Sequence, residues 1–573
     1  MRLTFLGHDG LRIGPASGEG GEAVLVDPWL HPAGAFAGAW FPYPPATPCG
    51  DDEAWRQRCL EGVATLVVTQ ALPEHLDPWV LAALPATVPV LVVRTPSSEL
   101  AAAVRAVASE QGDGQPQERR EVVELEPWQW YAPAALGGDL RVALVPEVSA
   151  RHAAAVVVQE RSSGHALVHL GEARMTALHA RCIRRFLGAE TSPAVVTLRT
   201  NVAGYTPLRT AADEQRRFLR ARQARRDRQE AAITLLRILK PQAALLAGPS
   251  VCLLDETLAP LQAELDGGPA TDVHAEGETF HRRFVKQLRA WQRGDEVDLA
   301  RPEHTETHGR LPVPESLDAY AASKAAVLAQ QVAAVASPAE VAKDEAALWE
   351  AVQGWFGALL ESCRPLRRRI NLRLYLEATD ATTGDTLGRY RMDFRERARI
   401  LRLTETPSGS EDEEESAVED GPSDDATLRA PVPWLHAVLS GRSDFATLLH
   451  SLRFRFDSEA SRMRLEQLLE LLQLAGKEPA TAGPRAQARV AATQWLPVPE
   501  TQGESDAPYW IGRHCPHAQV DLLTCGDLLD DGTLRCLAHS YDFALSRGGH
   551  CLNAPECSAL PVYTNPPPPS EAT

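Results

Sequence analysis

Two short segments near the C-terminal end carry most of the chemistry legible in this chain: Cys515-Pro-His517 and, after eighteen intervening residues, Cys536-Leu-Ala-His539. Two thiols and two imidazoles suit an asymmetric [2Fe-2S] cluster, in which two cysteines hold one iron and two histidines the other. One Cys and one His on each segment would let two hairpin tips close over the cluster from opposite sides. Neutral imidazoles in place of thiolates leave such a site less negative, which raises its potential to roughly −150 to +300 mV. The same donors could hold a structural zinc. Zinc fingers, however, favour C-x2-4-C with H-x3-5-H, whereas this spacing is C-x-H with C-x-x-H. Asp530-Asp531-Gly532-Thr533 predicts a hairpin turn into a strand that delivers Cys536, and a second hairpin is expected from Ser540 to Cys551. Five of the ten cysteines fall between Cys515 and Cys557, a clustering that speaks for metal before disulfide; Cys525, Cys551 and Cys557 read as free thiols.

The quartet and its hairpins resemble the Rieske ferredoxin and Rieske oxygenase family over about residues 508–565. The resemblance implies an all-β Rieske domain whose [2Fe-2S] cluster is bound by Cys515, His517, Cys536 and His539 and is served by a ferredoxin or flavin reductase. It also implies that the ring edges of His517 and His539 reach solvent or a partner. Rieske proteins of cytochrome bc complexes carry an extra cysteine pair, and the matching positions here are Val520 and Ala538. By this resemblance the centre belongs to the disulfide-free branch that works in the cytosol.

A second set of residues lies at the other end of the chain: Phe-Leu-Gly-His8-Asp-Gly, Val-Leu-Val-Asp27-Pro-Trp, and Thr-Gln70-Ala-Leu72-Pro-Glu74-His75-Leu-Asp77. With Gly171-Glu172 and Leu246-Ala-Gly-Pro-Ser, they resemble the metallo-β-lactamase fold over about residues 1–260. The likeness is to the branch that includes the CMP-N-acetylneuraminate hydroxylases, which join this fold to a Rieske domain in the reverse order. That family's H-x-H-x-D-H loop presents several ligands to a two-metal site. Here the matching positions are Gln70, Leu72, Glu74 and His75, so the first metal position is expected to be empty. Glu74, His75 and Glu172 remain as donors, a carboxylate-rich set suited to one additional iron or a manganese. His152 falls near a further ligand position, and His8 and Asp27 are expected to brace the core.

The elements that must hold these residues follow from hydrophobic pattern. Short strands are expected at 2–6, 23–27, 65–69, 89–93, 141–145, 154–159 and 165–170, then an arginine-rich, solvated helix from Ala211 to Leu239 closed by Pro241. A helix at 346–362, strands at 370–378 and 389–403 around Thr383-Gly384-Asp385, and a helix at 459–475 make a second folded block. That block resembles sterol-carrier-like α+β domains. The run Glu-Asp-Glu-Glu-Glu at 411–415 repels itself and has almost nothing apolar to bury, which predicts a disordered insertion over 405–427.

The expected architecture is therefore multidomain α/β plus β. A metallo-β-lactamase-like αββα sandwich spans 1–300, a connector 301–345, an α+β domain 346–480, a linker 481–507, and an all-β Rieske domain 508–573. A length of 573 residues agrees, because single cores stop growing near roughly 250 to 300 residues. The net charge of −18 argues against nucleic acid or an anionic membrane as partner. The N-terminal residues turn polar too soon for a signal peptide and no run reaches the ~18 apolar residues of a membrane span, so a cytoplasmic protein is expected. Two functions stay open. One is an oxidoreductase whose Rieske cluster passes electrons to an iron in the N-terminal domain for hydroxylation of a small molecule. The other is an electron-transfer or redox-sensing protein whose N-terminal domain is a metal-free scaffold.

Overall fold

The computed structural model describes residues 1–15, 22–42, 52–95, 99–110, 120–148, 153–188, 191–199, 214–247, 251–262, 288–291, 293–302, 305–306, 317–335, 345–395, 399–403, 425–458, 462–500 and 508–567. His152 and the acidic run at 411–415 lie outside them.

Strands in the N-terminal part are short and almost wholly apolar because both of their faces are covered. Val90–Val93 (VLVV) and Ala154–Glu160 (AAVVVQE) are buried at every position, as expected of strands with packed layers above and below. Successive side chains point to opposite faces. In the first sheet Val24, Val26, Val67, Leu91 and Val93 face one core, while Leu25, Leu66, Val90 and Val92 face another. The second sheet divides likewise: Val156, Val158, Leu167 and Leu245 share the core of Val24 and Leu91, and Ala155, Val157, Val168 and Leu246 turn outward. Two sheets thus pack face to face. Helices Pro78–Ala83 and Glu99–Glu110 cover one outer face, Ala177–Leu187 and Glu214–Leu239 the other. This is the αββα layering of the metallo-β-lactamase-like fold. Each sheet contains a parallel block, Ala23–Val26, Val63–Val67, Val90–Val93 and Val122–Leu125 in the first and Ala166–His169, Val195–Arg199, Ala243–Ala247 and Leu288–Trp291 in the second.

The middle block is a five-stranded mixed sheet with Arg373–Thr379 at its centre, covered by helices Glu345–Ser362 and Arg462–Ala475 around a core of its own. Its turn forms as the sequence requires: Asp380 Oδ1 accepts from the backbone N–H of Thr382 at 2.7 Å and Thr383 at 2.8 Å, ahead of Gly384 at φ 78°. Residues 425–427, counted in the insertion, instead open the strand Asp425–Pro431, which pairs in parallel with Arg373–Thr379.

Three further boundaries move. Thr305–Glu306 pairs with Glu296–Asp298, so the first sheet runs past residue 300. The segment 481–507 is not simply a linker: Ala482–Ala492 is a helix, and Trp495–Val498 pairs with Tyr509–Gly512 in the sheet that opens the Rieske region. Alanine, read as linker composition, is also the best helix former. The C-terminal region is all β apart from single turns, with a three-stranded sheet and a four-stranded sheet, Gly526–Leu528, Thr533–Cys536, Tyr541–Ala544 and His550–Cys551.

Candidate functional sites

Each segment of the C-terminal quartet curls in the same way. The N–H of Gln519 donates to the carbonyl of Cys515 at 2.8 Å, and the N–H of Ser540 to that of Cys536 at 2.7 Å. The fourth residue after each cysteine, Gln519 at φ 56° and Ser540 at φ 57°, takes the left-handed conformation that reverses the chain. Of the four residues expected, Cys515, Cys536 and His539 bring their ligating atoms together. Cys515 and Cys536 are fully buried, His517 is exposed and His539 half-buried. The His539 Nδ1 lies 3.4 Å from the Cys536 sulfur and 3.8 Å from that of Cys515, and the three ligating atoms fall within 4.8 Å of one another. The His517 ring is 4.7 Å from that of His539 and 4.9 Å from that of Tyr541. Burial pushes the Cys515 thiol up from its ordinary range, a penalty that metal ligation removes by taking the proton's place. Soft sulfurs on the inside and imidazoles toward solvent fit an asymmetric iron-sulfur cluster. Among the described residues no cysteine is in a disulfide.

The N-terminal site lies at the ends of the sandwich strands. His8 and Asp9 occupy the turn between Arg2–Gly7 and Gly10–Gly14, Gln70 to His75 the loop after Val63–Val67, and Glu172 the loop after Ala166–His169; Arg199 ends Val195–Arg199. The carboxyl ends of parallel strands are where open α/β sheets build their sites. Backbone strain gathers here, since His8 (φ 52°) and Asp27 (φ 39°) are left-handed without being glycine. Gly171 (φ 51°) is required on two counts, because a Cβ there would also stand 3.2 Å from His169 Nε2.

The donors that converge are His8, Asp9, His75 and Glu172, with ligating atoms within 4.8 Å of one another. Of the three residues expected, His75 and Glu172 meet, with His75 Nε2 3.9 Å from Glu172 Oε2. Glu74 does not join them; it is buried with Oε2 lacking a hydrogen-bond partner among the described residues. His8 was expected only to brace, yet it is one of the group. Asp27 does brace: its carboxylate accepts hydrogen bonds from His75 Nδ1–H at 2.9 Å and the Thr69 N–H at 2.8 Å. Gln70 Nε2 lies 3.4 Å from His75 Nε2, and Leu72 packs on the Trp29 cluster. Asp77 ties two loops together, accepting from the N–H groups of Leu30 and His31 at 2.7 Å while capping helix Pro78–Ala83.

Electrostatics at this site are those of ion pairs. Burial works against the charge on Glu172, but Arg199 and then His75 hold its carboxyl well below the usual range. Burial likewise opposes the charge on His75, yet Asp27 lifts it to about 10. His8, buried and beside Arg199, is pushed down to about 3 and stays neutral. Arg199 was missed in the sequence because nothing about a strand-ending arginine marks it.

The two regions are packed together. Helix Ala177–Leu187, which begins five residues after Glu172, lies against Leu522–Cys525 and Gly526–Leu528. Arg181 pairs with Asp527, and Arg185 donates to the carbonyls of Leu529 at 3.2 Å and Asp530 at 2.8 Å. Trp128 Nε1 donates to the Pro497 carbonyl at 3.0 Å.

The chain thus joins a sandwich with αββα layering, a middle α+β block and an all-β region that carries the cysteine–histidine quartet. The model of the Rieske [2Fe-2S] domain matches residues 479–564, so the C-terminal region is a Rieske domain that starts before residue 508 and includes the strand Trp495–Val498. No curated protein matches the chain. Among solved structures, a metallo hydrolase from Ignicoccus hospitalis is similar at 13% identity, covering 52% of this chain and 97% of its own, with a TM-score of 0.32. The metallo-beta-lactamase fold protein YhfI from Bacillus subtilis is similar at 10% identity, with coverages of 52% and 99% and a TM-score of 0.29. Sterol Carrier Protein 2 from Yarrowia lipolytica matches at 9% identity, 25% of this chain and 88% of its own, with a TM-score of 0.15. The family model supports the Rieske domain, and none of these findings supports the narrower likeness to the CMP-N-acetylneuraminate hydroxylases. Among the described residues no helix is long and apolar enough to cross a membrane.

Proposed function

We propose that this protein is a Rieske oxidoreductase in which Cys515, His517, Cys536 and His539 hold the [2Fe-2S] cluster. When bound, the cluster takes up and gives up single electrons. The observation that carries the reading is the polarity of the quartet: both sulfurs are fully buried, while His539 is half-buried and His517 exposed. His517 and His539 are then the port at which a ferredoxin or flavin reductase donates, while Cys515 and Cys536 belong to the buried core shared with the sandwich helix Ala177–Leu187.

A second reading sends the electron onward to one iron in the N-terminal domain for hydroxylation of a small molecule. The convergence of His8, Asp9, His75 and Glu172 is what favours it. Against it stands Arg199, whose Nη1 already bonds three of those four groups.

Anaerobic purification, an iron count and an electron paramagnetic resonance spectrum after dithionite reduction test the first reading. A Rieske spectrum that disappears in Cys536→Ser is expected. One zinc per chain and no such spectrum would overturn it.

A further inference from the structure

The four donors of the N-terminal site already have a cation among them. Arg199, 6% exposed, places Nη1 2.9 Å from Glu172 Oε1, 3.0 Å from Asp9 Oδ2 and 3.1 Å from His8 Nε2. A divalent ion held by these atoms would sit about 2.0 to 2.2 Å from each. That point and the position of Nη1 are the same small volume, and the two cannot share it. Charge gives the same answer: Asp9 and Glu172 are buried anions that need a cation nearby, and the guanidinium is one that cannot lose its proton. Neighbouring positions agree, since Leu72 offers no donor atom and the amide of Gln70 lies against His75 Nε2.

We propose that Arg199 is the resident cation of this site, its guanidinium standing where a metal would, so that the αββα domain holds its donor loops together without one. The inference is independent of the cluster, which is read separately by its own spectrum. A built-in cation has a plain use. The loops carrying His8, Asp9 and Glu172 stay pinned whatever metals the surroundings offer, and the loop after Glu172 leads directly into the helix on which the Rieske domain rests.

The full-length protein with its cluster intact provides the test. After incubation with Fe²⁺, Mn²⁺ or Zn²⁺ and desalting, the wild type should carry the cluster's two irons and no third ion, and its thermal midpoint should not respond to Zn²⁺. Arg199→Ala should bind one further ion per chain, with a midpoint below wild type that rises by a few degrees on adding Zn²⁺. Arg199→Lys, which keeps the charge, should bind none. A third ion retained by the wild type and lost in Glu172→Gln overturns the proposal, and that measurement stands even where Arg199→Ala fails to fold. A folded Arg199→Ala that takes up no metal overturns it as well.

Discussion

Glu74 makes the N-terminal site sensitive to pH, because it is a carboxyl with almost no access to water. Burial raises its pKa from an ordinary 4.5 to about 7. Between those two values the folded protein keeps a proton that the unfolded chain has released, so stability falls as pH rises through this window and the whole cost is present above pH 7. Glu74→Gln removes the ionisable group at nearly constant shape. The variant is expected to be more stable than wild type at pH 8, by at most on the order of 3 kcal/mol and with a higher thermal midpoint, and to match it below about pH 4.5. A variant less stable than wild type at pH 8 would show that attraction to the neighbouring His75 outweighs the cost of burying the carboxylate. The motif loop made Glu74 legible as a donor, but sequence spacing does not say which way a loop carboxyl turns. His8, Asp9 and Arg199 escaped for a different reason: they lie up to 191 residues apart and only the strand order brings them together. The cluster quartet, by contrast, sits in two local turns, and local turns are what a sequence shows best.

At the scale of elements, the joint between the sandwich and the Rieske domain rests on helix Ala177–Leu187. Thr176 and His179 form its capping box, with the Thr176 N–H donating to His179 Nδ1 at 3.1 Å. Two kinds of contact meet there, and their magnitudes differ. Arg181 is 42% exposed, and an ion pair so open to water is worth little, so Arg181→Ala should cost under about 1 kcal/mol. Gly526 is another matter, since a Cβ there would meet the Leu522 carbonyl oxygen at 2.3 Å and Leu178 Cδ2 at 3.4 Å. Backbone has to move to admit it. Gly526→Ala is expected to cost about 1 to 3 kcal/mol and to release the [2Fe-2S] signal at lower temperature than Arg181→Ala does; equal melting of the two variants would refute the ranking. Elements of this kind are only partly legible. The buried strands announce themselves as continuous Val, Leu and Ala runs, whereas helix Ala482–Ala492 hides in a composition shared with linkers. It is held by tertiary contact instead, as at Gly483, where a Cβ would fall 1.8 Å from the Ser362 carbonyl oxygen.

Across the whole molecule, the cores do not follow the borders suggested by composition. Cys515 and Cys536 belong to the same buried cluster as Val157, Leu178, Ile183 and Leu236, which come from a strand and two helices of the sandwich. The middle block keeps a separate core built on Phe356, Leu374, Tyr390 and Leu472. A group that binds only the folded state stabilises the cooperative unit it touches and no other. Removing the cluster, by chelation or by Cys536→Ser, should therefore loosen the helix Ala177–Leu187 as well as the Rieske hairpins, and leave Arg373–Thr379 and Thr386–Asp393 as they were. Hydrogen exchange read peptide by peptide distinguishes these regions. Faster exchange over 177–187 with no change over 373–393 is the expected pattern. Loss of protection confined to residues beyond 495 would mean that the shared core does not couple the two regions, and equal loss in the middle block would mean that the chain unfolds as one unit.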